Sequence, residues 1–120
     1  ARQMLIEGTS LYYANRLSEA AKLIKQALKL DPELRGAWSR LGQIALYQGH
    51  VQAAITHFQE ELAMDLDDYN AHAYLSVIYE AQGRVWDAQR HAHSAKAHGM
   101  FLAPKEVERI RAAVRGTPTG

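Results

Sequence analysis

Residues 35–68 read RGAWSRLGQIALYQGHVQAAITHFQEELAMDLDD, and this stretch decides the fold. Its first half carries Trp38, Leu41, Ala45 and Leu46, and its second half Val51, Ala54, Ile55, Phe58 and Leu62, each set at the three-and-four spacing of an amphipathic helix. Between them stands Gly49, a residue that tolerates the left-handed conformation in which a helix commonly ends. The stretch therefore predicts two helices of about a dozen residues joined by a tight turn. Moving outward by 34 residues in either direction finds the same frame again, beginning at Ala1 and at Tyr69. Ala20, Ala54 and Ala88 fall in one slot, Gly8, Gly42 and Ser76 in another, Leu17, Val51 and Val85 in a third, and Asn15, Gly49 and Gly83 at the turn. Small residues in two of these slots let paired helices approach closely, with bulky Ile24 and Phe58 filling the space beside them.

Three helical hairpins in register, over residues 1–34, 35–68 and 69–102, describe an all-α chain built by repetition. After them Pro104 suits the first turn of a further helix, in which Val107, Ile110, Ala113 and Val114 form a narrow apolar stripe among charged residues. A helix over about 104–115 is expected to cap the open end of the third hairpin, because a terminal repeat otherwise exposes a core face to water. Residues 1–116 then make one domain, and 117–120 a flexible tail. The apolar run Met4, Leu5 and Ile6 starts with no cap before it, so the chain is as readily a piece of a longer protein as a mature form.

The residues Trp38, Leu41, Gly42, Ala54 and Phe58, with Ala27 and Asp31-Pro32 in the first frame and Leu75, Tyr79 and Ala95 in the third, resemble the tetratricopeptide repeat. Glu7 and Glu61 depart from that pattern where it has Leu and a small residue, and Leu66 and Met100 stand where it has Pro. The resemblance implies a right-handed superhelical solenoid whose first helices line a concave groove that receives a partner peptide. Carried over slot by slot, the groove residues are Leu5, Thr9, Tyr12 and Tyr13, then Arg40, Gln43, Leu46 and Tyr47, then Tyr74 and Val77. Four tyrosines on one wall offer apolar area with a polar tip, a composition frequent where proteins grip one another. The plainer reading is that some of these rings pack between helices. Arg40 among them either forks to a peptide carboxylate or carbonyl, or stacks on the rings or stands solvated.

The function expected is thus a scaffold or adaptor that binds a protein or peptide segment. The alternative is an assembly element that self-associates, or stacks on further repeats, through its N-terminal edge or outer face. Trp86 stands in a slot that is Ser18 and Gln52 elsewhere, and the expectation is that it covers the neighbouring turn or packs near the cap, with a second contact point as the other reading. Relatives that clamp the acidic C-terminal tails of chaperones use Lys, Asn and Arg at positions that are here Leu5, Thr9, Arg40, Asn70 and Tyr74. Four of the five lack the needed group and Arg40 stands where an amide should be, so the paired donors for a terminal carboxylate are missing, and calorimetry with such a tail peptide is expected to show no micromolar binding.

Other chemistries find little support. The 120 residues carry 14 basic and 13 acidic side chains, and a net charge of +1 gives little field to hold a nucleic acid. No run approaches the roughly 18 to 20 apolar residues of a membrane span. The sequence has no GxSxG, phosphate-loop or HExxH motif, so no catalytic residues and no cofactor are expected. The six histidines include no pair at the four-residue helical spacing that would aim two rings at one metal ion. His57 and His91 share a slot, which leaves only a loose site across repeats, and solvated histidines are the expectation. With no cysteine, the compartment stays open between the cytoplasm, slightly favoured, and the periplasm.

Overall fold

The computed structural model describes residues 1–97, 99 and 101–116. Met100 and the tail expected over 117–120 lie outside the described residues. Among the described residues seven helices follow one another: α1 (Arg2–Tyr13), α2 (Leu17–Leu30), α3 (Ala37–Tyr47), α4 (Val51–Met64), α5 (Tyr69–Ala81), α6 (Val85–Ala97) and α7 (Pro104–Arg115). Among the described residues there is no strand. The hairpins are α1–α2, α3–α4 and α5–α6, and the second helix of each packs on the first helix of the next.

The hairpin turns repeat atom for atom. Asn15, Gly49 and Gly83 sit at φ of 63°, 84° and 79°, the left-handed region in which a helix is closed. The residue after each donates its N–H back to a carbonyl five residues earlier: Arg16 to Leu11 at 2.9 Å, and His50 to Ala45 and Arg84 to Tyr79 at 2.8 Å. Between hairpins, the Asp31 carboxylate accepts the Glu33 N–H and the Asp65 carboxylate accepts the Asp67 N–H, both at 3.1 Å. These aspartates occupy one slot, and each forms the local side-chain turn that lets the chain leave a helix.

Inside the hairpins the small slot does what its spacing implies. A Cβ on Gly42 would lie 2.9 Å from three atoms of the Phe58 ring, and one on Gly8 would lie 2.5 Å from Ile24 Cγ1. In the third hairpin the pair is Ser76 and Ala92, and there the helices leave a cavity of about 200 Å³, bounded also by Ala73, Ala95, Leu102 and Val107.

Two features go beyond the repeat pattern. Glu61, in the acidic run of α4, is fully buried. The first residue before α3 is Gly36, which has no side chain to cap the helix, and the Glu61 carboxylate takes that role from the neighbouring helix. It accepts the Gly36 N–H at 3.1 Å and the Ser39 N–H at 3.2 Å. Asp68 is likewise employed, accepting from its own Ala71 N–H at 3.0 Å and from the Ser39 hydroxyl at 3.0 Å.

The second feature is the seat of α7. The helix forms over the expected residues, but its main contacts are with α5 and α3, so it lies across the inner face of the first helices. The chemistry of the third hairpin explains this. Glu80, Gln89 and Lys96 stand in the slots that in the second hairpin hold Leu46, Ile55 and Leu62, all buried there. The end of the array is therefore polar, whereas the inner face offers Tyr74, Ile78 and the ring of Tyr47, and the fully buried Ile110 joins that cluster.

Candidate functional site

The inner face is built from the C-terminal half of α1, the exposed side of α3 and the middle of α5. Tyr12 and Tyr13 end α1, with rings edge to face at 5.0 Å between centroids. Tyr47 ends α3, and its ring stacks at 6.5 Å on that of Tyr12. Gln43 and Arg40 lie one and two turns earlier on α3, a spacing that keeps all three on one side of the helix. The Arg40 guanidinium stands 5.0 Å from the Tyr12 ring centroid and 5.3 Å from that of Tyr13, and it donates to Gln43 Oε1 at 2.7 Å. It thus stacks on the aromatic wall and is itself half-buried.

Three of the four tyrosines are partly or fully covered, Tyr12 and Tyr74 being buried and Tyr47 half-buried, while Tyr13 is 74% exposed. Tyr12 is covered within the core of the first hairpin and α3, whereas over Tyr47 and Tyr74 part of the cover comes from α7. The Tyr74 hydroxyl donates to Glu106 Oε2 at 2.6 Å, and the Tyr47 hydroxyl donates to the same oxygen. Arg109, on the next turn of α7, lies 4.2 Å from the Tyr47 ring centroid. Burial, then the hydrogen bond to Glu106, raises the Tyr47 and Tyr74 pKa values, and burial also raises that of Tyr12. The phenols consequently remain protonated donors, and their natural complement is a carboxylate. Beside this contact a cavity of about 390 Å³ remains open, lined by Tyr12, Tyr13, Gln43, Tyr74, Glu106 and Arg109.

The other expected groove residues are distributed differently. Leu5 and Leu46 lie in the core clusters between helices, and Thr9 is half-buried. Val77 borders the small cavity at the third hairpin instead of the tyrosine wall. Trp86 does not pack over the neighbouring turn or near α7 as expected: it stands 85% exposed on the outer side, where it borders a shallow recess with Arg90 and His93.

Sequence reasoning missed Glu106 and Arg109, having counted both among the polar residues of α7. The available signal was spacing, because Glu106 precedes Ile110 by four residues and so shares its face. It also misjudged three histidines. His57 stacks on Trp38 at 5.5 Å, and His91 meets His72 at 5.1 Å between ring centroids. These are one pair of slots seen in two successive repeats, so the rings pack between helices instead of standing in water. His72 Nε2 faces the Leu66 carbonyl at 3.0 Å and must donate, which leaves its Nδ1 to accept from His91 Nδ1 at 2.8 Å. Burial, followed by the neighbouring His72, lowers the His91 pKa to about 4. No group of three His, Cys, Asp or Glu among the described residues could hold a metal ion. Nor is any described helix long and apolar enough to cross a membrane.

No curated protein gives a significant sequence match to the chain. The sequence model of the family described as Tetratricopeptide repeat does match, over residues 7–46 and 39–91, which together exceed half of the chain. With three hairpins in a 34-residue register, the same closing turn in each and an all-helical architecture, the chain belongs to the tetratricopeptide repeat family.

Proposed function

We propose that the chain is an adaptor that holds a segment of a partner protein against the inner face of its first helices, on Tyr12, Tyr13, Tyr47 and Tyr74, with Arg40 and Gln43 fixing the segment's backbone or a carboxylate. Tetratricopeptide repeats are in general protein–protein interaction modules without catalytic activity. The observation that carries the reading is the open cavity of about 390 Å³ at this wall, where the exposed Tyr13 ring, the polar end of Gln43 and protonated phenols converge. Aromatic rings and Arg concentrate binding energy at protein interfaces, and this wall joins both in a concave setting.

The test uses a partner recovered by pull-down from the native host. Tyr13→Ala and Tyr47→Ala should each weaken its binding, Tyr47→Ala by roughly 1 to 3 kcal/mol, while Trp86→Ala on the outer side changes it little. Circular dichroism must be retained in each variant, and Tyr13, being exposed, is the cleaner of the two. A contact that is mainly apolar should weaken only mildly between about 0.1 M and 0.5 M salt. A partner that ignores both tyrosines but is lost with Trp86→Ala moves the interface to the outer face.

A further inference from the structure

The inner face already holds one helix, and that helix describes the ligand. Ile110 is the only side chain of α7 that is fully buried. Glu106, one turn earlier, gathers the hydroxyls of Tyr47 and Tyr74, which come from two different helices. Arg109 covers the Tyr47 ring from above. The opposite side of α7, with Lys105, Glu108, Ala112 and Arg115, is exposed. The hydrogen bonds from the two phenols, the cation on the Tyr47 ring and the fully buried side chain therefore fall within five consecutive residues of one helix. Ile110 is the one fully buried α7 member of the core, with Ala113 and Val114 packed beside it, and the Arg111 guanidinium pairs with Glu80 of α5 at 2.9 Å.

We infer that α7 is an exchangeable occupant of the inner face, and that the partner this face accepts is an amphipathic helix carrying Glu followed one turn later by a branched aliphatic residue, which binds by displacing α7. The inference rests on the groove reading above and specifies its ligand. The carboxylate is required because two phenol donors converge on one oxygen and would otherwise be left without an acceptor in a half-buried place. The aliphatic residue is required because the slot between Tyr74 and Ile78 is apolar and closed to water once filled. The tether makes α7 a competitor of high effective concentration, so a free helix of the same pattern binds the unaltered chain weakly. It binds better when α7 is loosened, since apparent affinity scales with the fraction of chains whose groove is open.

The experiment uses the full chain and a fluorescent peptide with the sequence of residues 104–115. Anisotropy titrations are made on the wild type, on Ile110→Asp and on the milder Glu106→Gln, with circular dichroism on each. The expected result is at least tenfold tighter peptide binding by Ile110→Asp than by the wild type, and a smaller gain by Glu106→Gln. The gain should disappear when Tyr47→Phe and Tyr74→Phe are added, or when the peptide itself carries Glu106→Ala. Equal binding by wild type and Ile110→Asp, with helical signal retained, overturns the inference. So does loss of cooperative folding in both α7 variants, which would make α7 an inseparable part of the core. A wild-type dimer with exchanged α7 helices also overturns it, replacing the partner helix by a second copy. Should the peptide fail while the recovered partner still depends on Tyr13, the inference falls and the groove reading stands; a partner that maps to Trp86 removes the groove reading itself.

Discussion

Replacing Phe58 with Ala is expected to lower the stability of the chain by about 3 to 5 kcal/mol, and the loss should be coupled to Gly42. The ring is fully buried, stacks on Tyr74 at 5.4 Å between centroids, and lies against the one position of α3 that has no side chain. Gly42→Ala alone drives a methyl to 2.9 Å from three ring atoms that have no free space to enter, at a cost of about 1 to 3 kcal/mol. The larger Gly42→Leu should exceed about 2 kcal/mol for the same reason. In the double variant the methyl enters the void left by the ring, so the two losses should fall short of their sum by about 1 kcal/mol or more. The third hairpin already contains this compensated state, since Ser76 and Ala92 occupy the two slots there. Denaturant unfolding of the four proteins measures the coupling, and strictly additive losses would mean that Gly42 and Phe58 do not face each other.

That contact was legible in the sequence because both residues belong to a pattern repeated at a fixed interval. The turn at Gly49 was legible for the same reason, as were the borders of the helices around it. What repetition did not convey was the destination of α7, which occurs once. An apolar stripe says that a helix has a buried side, but not which of two neighbouring surfaces receives it. The decision lay in the polarity of the third hairpin, where Glu80, Gln89 and Lys96 make its end a poor apolar surface. Glu61 is a different case. It stands out as a departure from the repeat pattern, because its slot holds Ala27 and Ala95 in the other hairpins and both are buried, but the pattern does not say what it bonds to. A charged residue in a slot that is otherwise small and buried has to find donors, and the uncapped N-terminus of α3 provides two. The tyrosines of the inner face were identified by type and slot, yet their coverage was not, because Glu106 looked like one more solvated carboxylate.

Removing the Glu61 carboxylate should therefore have a large effect, and one that depends on pH. Glu61→Ala leaves the Gly36 and Ser39 N–H groups without their acceptor inside the structure, and a loss of roughly 2 to 4 kcal/mol is expected. Burial raises the Glu61 pKa above its ordinary 4.5, and the two backbone donors, which act in the opposite sense, do not cancel that rise; nearby Asp68 and Asp65 add to it. The sign follows from linkage. A carboxyl with a higher pKa in the folded state takes up a proton on folding. Its contribution is complete below the ordinary carboxylate range and is lost as pH rises through the folded-state value. Glu61→Gln retains one acceptor and cannot titrate, so it serves as the reference. Relative to Glu61→Gln, the wild type should lose stability as pH climbs from about 4 into the raised range, and the two should run parallel above it. Unfolding measured at a series of pH values tests this directly. If the wild type instead gains on Glu61→Gln over that interval, the N–H groups at the start of α3 outweigh the burial of the charge, and the carboxylate is the form that the helix end prefers.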